Sequence, residues 1–139
     1  MSDDRIEDYL REVEAFPELS GEKQDALADI VAVGRLARER LIKDPKPSDK
    51  EMLELLQEER DAESAKTELV RGSLHTVVTI AKLYDVGDVP LADLIQEGTS
   101  GLEEAVDTYD PDSGLSFSSH AAPTIRKAIQ RGLESRTSS

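Results

Sequence analysis

The sequence predicts an all-α fold, and three observations support this class. Hydrophobic residues make up 37% of the 139 residues but aromatic residues only 4%, so a core must be built from Leu, Ile, Val and Ala. This composition favours helices over a β-sandwich. Apolar residues recur at helical spacing in five segments, and Pro- and Gly-rich turns separate these segments. No segment shows a convincing strand pattern, and the length fits one domain, or one domain with a helical extension.

The first two helices are predicted over residues 3–15 and about 20–43. Pro17 ends the first, because proline disfavours helix in the residue before it, and Ser20 is a suitable N-cap for the second. Two prolines within residues 44–47 then interrupt the helical pattern. The predicted apolar stripes are Ile6, Tyr9, Leu10 and Val13 on the first helix, and Ala26, Ile30, Val33 and Ala37 on the second.

The third helix is predicted to begin at Ser48, since Glu51 lies three residues on and completes a capping box. Its pattern continues to Tyr84, which is far above the usual length of a helix. An internal bend is therefore compatible with the sequence, and Gly72 is the weakest point of the segment.

The fourth helix is predicted to start near Pro90, after a turn at residues 85–88. Its apolar stripe consists of Leu91, Leu94, Ile95, Gly98, Leu102, Ala105, Val106 and Tyr109. Gly98 and Gly101 each cost about 1 kcal/mol relative to alanine in a helix interior, so the local signals permit a break near Gly98.

The fifth helix follows a turn at residues 110–114 and is predicted to begin near Ala122 or Pro123, because proline is tolerated in a first turn. Its apolar side carries Ile125, Ala128, Ile129, Gly132 and Leu133. Residues 135–139 are predicted to be a frayed tail.

The formal net charge of −13 argues against broad nucleic-acid binding, because phosphates would be repelled. Residues 114–139 are weakly basic, with four Lys and Arg against one Glu, but cations near a helix C-terminus also suit the helix dipole. There is no Cys, the acidic N-terminus lacks the apolar core of a secretory signal, and no apolar run has the length of a membrane span. These features predict a cytoplasmic protein.

Enzyme chemistry is not predicted. His75 and His120 lie 45 residues apart with no evident acidic or thiol partner, and no nucleotide-binding or zinc-protease motif is present. The acidic residues at 107–112 lack the Gly and the later Glu of a calcium loop. We therefore expect no catalytic residue, no metal and no cofactor.

One run does more than satisfy helical periodicity. Residues 93–102 read DLIQEGTSGL and are followed by AVD at 105–107, while residues 8–13 read DYLREV. In order and spacing, residues 65–133 closely resemble region 2 of primary-type (sigma-70 family) bacterial sigma factors, the promoter-recognition subunits of RNA polymerase. The N-terminal run resembles the opening of their region 1.2.

The resemblance implies a sigma region 2-like helical bundle with an N-terminal pair of region 1.2-like helices. The implied organisation is region 1.2-like helices at 1–43, a variable connector and the start of the long helix at 44–64, the region 2-like domain at 65–134 and a tail at 135–139. In the family, region 2 docks on a coiled coil, the clamp helices, of the polymerase β′ subunit. The implied docking residues are Asp93, Gln96, Glu97, Thr99, Ser100 and Glu103.

The departures from the family concern promoter melting. Leu115, His120, Pro123 and Thr124 stand where the family has two Tyr and a Trp pair that stack on unpaired bases, and only Phe117 is retained. Acidic Asp112 stands near the implied DNA path. The residual DNA contacts that the resemblance allows are Phe117, His120, Arg126, Lys127, Gln130 and Arg131.

The resemblance therefore implies a sigma-like regulator that binds polymerase core but cannot itself open a promoter, either as a competitor of sigma or as a partial sigma. Autonomous DNA binding is expected to be weak or absent. Two alternatives stay open: a decoy that binds an anti-sigma factor, and a divergent or truncated sigma factor that still recognises promoter DNA. A third interpretation, in which the motif serves only the core, accounts for its apolar residues but not for Asp93, Gln96 and Glu97 together.

Overall fold

The computed structural model describes residues 3–44 and 46–137, and these residues form α-helices joined by short connections and one 3-10 turn. The all-α prediction is confirmed. The helices are α1 (Asp3–Ala15), α2 (Gly21–Lys43), α3 (Asp49–Gly72), α4 (Leu74–Leu83), α5 (Leu91–Thr108) and α6 (Phe117–Thr137), with a 3-10 helix at Pro111–Ser113.

Both ends of α2 follow the prediction, but its buried side does not. The hydroxyl oxygen of Ser20 accepts a hydrogen bond from the backbone N–H of Lys23 (3.1 Å), so Ser20 is the N-cap. Of the predicted interruption at 44–47, the described residues are non-helical, and residue 45 lies outside the described part of the chain.

The predicted apolar stripe of α2 is wrong for three of its four residues. Ala26, Ile30 and Val33 are exposed, and only Ala37 is buried. The side that is buried instead carries Leu27, Ala28, Val31, Ala32, Gly34 and Ala37. The reason is the close antiparallel packing of α2 on α3, where the bare face of Gly34 lies against Ala62 and leaves no room for a side chain.

The long third segment is divided at Ser73 into α3 and α4, which confirms the internal bend with Gly72 at the weak point. Gly72 is buried against the side chain of Leu19, where an added Cβ would clash. The N-cap prediction also holds, since the Ser48 hydroxyl accepts a hydrogen bond from the backbone N–H of Glu51 (3.2 Å).

Helix α5 is continuous through both of its internal glycines, against the local signal for a break. A Cβ at Gly101 would lie 2.7 Å from the Cβ of Ala128 and 3.0 Å from the Cα of Ile125 in α6. A Cβ at Gly98 would lie 2.9 Å from the side chain of Val77 in α4. The two glycines therefore let α5 approach its neighbours closely, and this packing outweighs their poor helix propensity.

Helix α6 begins at Phe117, five or six residues before the predicted start at 122–123, so that prediction is wrong. The hydroxyl of Ser116 accepts a hydrogen bond from a first-turn backbone N–H (3.2 Å), and Asp25 of α2 accepts one from the backbone N–H of Phe117 (2.8 Å). Pro123 consequently lies inside the helix, where it donates no backbone hydrogen bond. Because α6 also extends to Thr137, the predicted frayed tail is helical up to that residue, and 138–139 lie outside the described residues.

The connection from α5 to α6 is held by Tyr109. Its hydroxyl donates to the carbonyl of Leu115 (2.8 Å), and its ring packs edge-on against Phe117 at a centroid distance of 5.7 Å. Arg35 of α2 donates to the carbonyl of Tyr109 (2.8 Å). Gly114 turns the chain with a φ of 84°, which favours glycine. The connection is thus fixed to α2 as well as to both helices that it joins.

The close approach of α5 and α6 predicts a strong dependence of stability on Gly101. Gly101→Val should lower the free energy of unfolding by about 1–3 kcal/mol, because its side chain would be forced against the backbone of α6. Ser100→Val is the matched control, since Ser100 is exposed and should change stability by no more than about 0.5 kcal/mol. Urea unfolding of both variants measures the difference, and equal stabilities would contradict the close packing.

Tyr109 predicts an alkaline loss of stability. Burial raises its pKa above the ordinary value of 10.0, and the carboxylates of Asp25, Asp29 and Asp110 raise the pKa further. Since the fold disfavours the tyrosinate, this contribution is complete below pH 10 and is lost as pH rises through the raised pKa. Tyr109→Phe should flatten the fall of unfolding free energy above pH 10.

Tyr84→Phe is the matched control for loss of a tyrosine hydroxyl as such, since Tyr84 is half-buried and lies outside the contacts of Tyr109. Part of the fall should remain in Tyr109→Phe, because burial also raises the pKa of Tyr9. Identical pH profiles for Tyr109→Phe and the unmodified chain would refute this assignment.

Candidate docking face on helix α5

Helix α5 is divided into a buried apolar side and a polar side that faces solvent. Leu94, Ile95, Leu102, Ala105 and Val106 are all at most 4% exposed. The other side, called here the α5 polar face, consists of Asp93, Gln96, Glu97, Thr99, Ser100 and Glu103. None of these six side chains is in the core, so the apolar half of the DLIQEG motif holds the fold and leaves the polar half accessible.

The members of the α5 polar face differ in exposure. Gln96, Ser100 and Glu103 are exposed, while the side chains of Asp93 and Glu97 are 37% and 39% exposed. Thr99 is half-buried, and its hydroxyl donates to the backbone carbonyl of Ile95 (2.8 Å). The five remaining side chains therefore supply most of the accessible polar atoms of this face.

One border of the α5 polar face is formed by the end of α6. Arg136 places its guanidinium nitrogens 3.6 Å from a carboxylate oxygen of Asp93 and 3.8 Å from one of Glu97. The side chain of Glu97 lies over Gly132, where a Cβ would come within 2.7 Å of it. The two carboxylates are thus close enough together to contact one guanidinium, although the exposure of all three side chains makes these pairs weak.

The other border is formed by α1. A groove of about 460 Å³ separates the two helices, and Ile6 and Tyr9 of α1 form its apolar wall opposite Gln96 and Thr99. Burial raises the pKa of Tyr9, a hydrogen bond with the Thr99 side chain lowers that pKa, and the charge of Glu12 raises it. Sequence reasoning missed this wall, because the apolar spacing of α1 shows that one side is buried but not which helix covers it.

The residues that the resemblance assigned to DNA contacts lie on α6, and one of them is corrected. Phe117 is 1% exposed and packs in the core, so its ring is not available to a base and the predicted contact is withdrawn. His120 is half-buried, with its Nε2 3.0 Å from the hydroxyl of Thr108. The other four side chains are exposed: Arg126, Lys127, Gln130 and Arg131.

Two of the exposed α6 side chains contact neighbouring helices. Arg131 lies 3.4 Å from a carboxylate oxygen of Glu104 on α5, and Gln130 donates to the hydroxyl of Tyr84 (3.0 Å). Tyr84 was not in the predicted set, and it brings one aromatic ring next to the polar side of α6. Its position one residue beyond α4 gave no sequence signal for this placement.

Of the four positions that the resemblance assigned to stacking rings, Leu115, Pro123 and Thr124 carry no aromatic ring and His120 carries an imidazole. Leu115 is 53% exposed and Pro123 is also exposed. Thr124 is half-buried and donates its hydroxyl to the backbone carbonyl of His120 (3.1 Å). Among the described residues at the start of α6, the imidazole of His120 is therefore the one partly exposed aromatic ring.

Residues 3–44 and 46–137 contain no group of three or more His, Asp or Glu side chains that is arranged to hold a metal ion. None of the helices in the same ranges combines the length and apolar character that a membrane span requires.

Comparison with known proteins agrees with this architecture. Residues 69–139 match the family model described as Sigma-70 region 2. RNA polymerase principal sigma factor HrdC of Streptomyces coelicolor is 37% identical over 134 residues, which cover 94% of this chain and 40% of HrdC. RNA polymerase principal sigma factor HrdD of Streptomyces griseus is 37% identical over 135 residues, covering 93% and 40%.

A more distant relative is RNA polymerase sigma factor SigA of Lactococcus lactis subsp. cremoris, which is 33% identical over 131 residues covering 94% of this chain and 29% of SigA. The chain thus spans 40% or less of the length of these curated relatives. The region 2 match covers half of the chain and includes the end of α3, α4, α5 with its polar face, and α6. The chain belongs to the sigma-70 family of RNA polymerase sigma factors.

Proposed function

We propose that this chain is a sigma-like transcription regulator that binds RNA polymerase core through the α5 polar face, with the β′ clamp helices as its target. The observation that carries the proposal is the division of α5. Its apolar residues are buried in the core, while Asp93, Gln96 and Glu97 lie side by side at the surface.

The chemistry of the face suits a basic helical partner. Asp93 and Glu97 already contact the guanidinium of Arg136, which supports the view that their spacing accommodates an arginine or lysine of a partner. Gln96 adds a donor and an acceptor between them. A net charge of −13 steers the chain toward a positively charged surface and away from phosphates.

The groove beside α1 extends this docking surface. Ile6 and Tyr9 provide an apolar wall next to the polar side chains of Gln96 and Ser100. A partner helix that presents an apolar side chain beside a cation would fill the groove and pair with the carboxylates at once.

Promoter opening is outside the proposed activity. A stacked base is worth about 1–3 kcal/mol per aromatic side chain, and Leu115, Pro123 and Thr124 have no aromatic ring on which a base could stack. Asp112 adds an exposed carboxylate near this surface, which would repel a phosphate. The proposed role is therefore that of a sigma competitor, or of a partial sigma that works beside another subunit.

One observation favours a second candidate, a divergent sigma factor that still contacts promoter DNA. Arg126, Lys127 and Gln130 are exposed on α6, and the ring of Tyr84 lies beside Gln130. Two cations next to an amide and a ring are suitable for a phosphate and a base edge. This candidate is separated from the first by DNA binding and not by polymerase binding.

Docking predicts that Asp93→Ala and Gln96→Ala each weaken the affinity for purified polymerase core by about tenfold or more, because each removes a central polar contact. Asp88→Ala and Gln57→Ala are the matched controls, since both residues are exposed outside the α5 polar face. Surface plasmon resonance with immobilised core measures the four affinities. Failure of the unmodified chain to bind core, or equal affinities for all four variants, would overturn the proposal.

Competition is measured in the same format with a fluorescent principal sigma factor on core. Displacement by the unmodified chain, but not by Gln96→Ala, is expected of a competitor, and a ternary complex is expected of a partial sigma. Binding to a purified anti-sigma factor in the absence of any binding to core would instead assign the decoy function.

If the chain lacks promoter recognition, as proposed, the unmodified chain should show no sequence-selective binding of a single-stranded −10 non-template oligonucleotide. Introducing rings through Leu115→Tyr, Pro123→Trp and Thr124→Trp should create measurable binding, with stacking as the cause. Fluorescence anisotropy against a scrambled oligonucleotide measures both. Selective binding by the unmodified chain that Lys127→Ala abolishes would favour the divergent sigma factor.

A further inference from the structure

Helix α2 exposes an apolar stripe that nothing in the described fold covers. Ile30, Val33 and Leu36 lie within two turns of each other and are 39%, 46% and 61% exposed. Single exposed apolar residues are ordinary on protein surfaces, whereas a group on one helix face is typical of an interaction surface. Two of these residues belong to the stripe whose spacing had predicted burial, so the amphipathic pattern of α2 has a second apolar side.

A groove runs between this stripe and α3. It has a volume of about 410 Å³. Its α2 side carries Val33, Leu36 and Arg40, and its α3 side carries the carboxylates of Glu51, Glu54 and Glu58. Its floor is apolar, since Ala37 and Leu55 are buried there. An apolar floor between two packed helices is a surface on which the apolar side of a third helix can dock.

The α3 wall of the groove is acidic. Glu51 is paired with Arg40 (3.2 Å), while neither Glu54 nor Glu58 forms an ion pair with any residue in 3–44 or 46–137. The two carboxylates lie about one turn apart along α3. They would complement a row of cations at the same spacing.

From these observations we propose that the groove, defined by Val33, Leu36, Leu55, Glu54 and Glu58, binds an amphipathic helix of a protein partner that carries Lys or Arg along one edge of an apolar stripe. A second copy of this chain does not fit, because the carboxylates of both copies would face each other and each copy carries a net charge of −13. Nucleic acid is disfavoured by the same carboxylates. The groove lies on helices other than α5, so the proposal does not depend on the proposed docking to polymerase.

The test uses the full chain and two synthetic helical peptides that share one leucine stripe and differ in their flanks, one with Lys and one with Glu. The Lys peptide is expected to bind saturably and the Glu peptide not to bind, as measured by fluorescence anisotropy. The double variant Val33→Ser, Leu36→Ser should weaken binding of the Lys peptide by about tenfold or more. Leu83→Ser is the matched control and should bind as the unmodified chain does, since Leu83 is 71% exposed on α4.

Charge reversal provides an arm that leaves the apolar stripe intact. The double variant Glu54→Lys, Glu58→Lys should lose the Lys peptide and gain the Glu peptide, because the two unpaired carboxylates of the wall become cations while Glu51 stays paired with Arg40. Circular dichroism melting of each variant verifies the fold. If the serine variant is unfolded, the charge-reversal variant alone decides the test.

Three results would overturn the proposal. They are no saturable binding of the Lys peptide, equal binding of the Lys and Glu peptides, or binding that both double variants leave unchanged. Sedimentation that shows a dimer of the unmodified chain, dissolved by Val33→Ser with Leu36→Ser, would assign the stripe to a second copy and overturn it as well.

Discussion

The close contact of α5 with α6 is the constraint on which the rest of the molecule depends. It requires Gly101, because Ala128 and the backbone around Ile125 occupy the space that a side chain would need. Once the two helices meet at this point, the rotation of α5 about its axis is fixed. Its apolar side is then buried, and Asp93, Gln96 and Glu97 are presented together at the surface. One packing contact therefore determines the composition of the proposed docking face.

The contact between α5 and α6 also places basic side chains of the last helix next to acidic side chains of α5. Arg131 and Arg136 of α6 lie against carboxylates of α5, so part of the positive charge of α6 is offset within the fold. Each pair is exposed and contributes little to stability. Their effect is on the surface potential, because α6 retains fewer uncompensated cations that could contact phosphate.

Two surfaces follow from this arrangement, and they lie on different helices. The α5 polar face depends on side chains that a sigma-70 motif supplies, with α1 as an added wall. The groove between α2 and α3 depends on an apolar stripe beside an acidic helix. The partner proposed for both is a helix that carries cations, since the chain has a strong negative charge and few aromatic rings with which to bind a base.

Local sequence determined the features that depend on neighbouring residues. The caps at Ser20 and Ser48, the weak point at Gly72 and the two sides of α5 all follow from side chains within one or two turns. Hydrogen bonds and apolar spacing of such short range are encoded in the order of the residues. The surface position of Asp93, Gln96 and Glu97 could therefore be predicted from apolar spacing, while their role in docking stays a prediction that rests on the resemblance.

Only the tertiary structure decided the features that depend on distant residues. The early start of α6 has, besides the local cap at Ser116, a hydrogen bond from the backbone N–H of Phe117 to Asp25, 92 residues away in sequence. The exposure of Ile30 and Val33 follows from the side of α2 that α3 covers, and the borders of the α5 polar face are supplied by Tyr9 and Arg136. Periodicity shows that a helix has an apolar side, but the partner that buries it is chosen by packing across the whole chain.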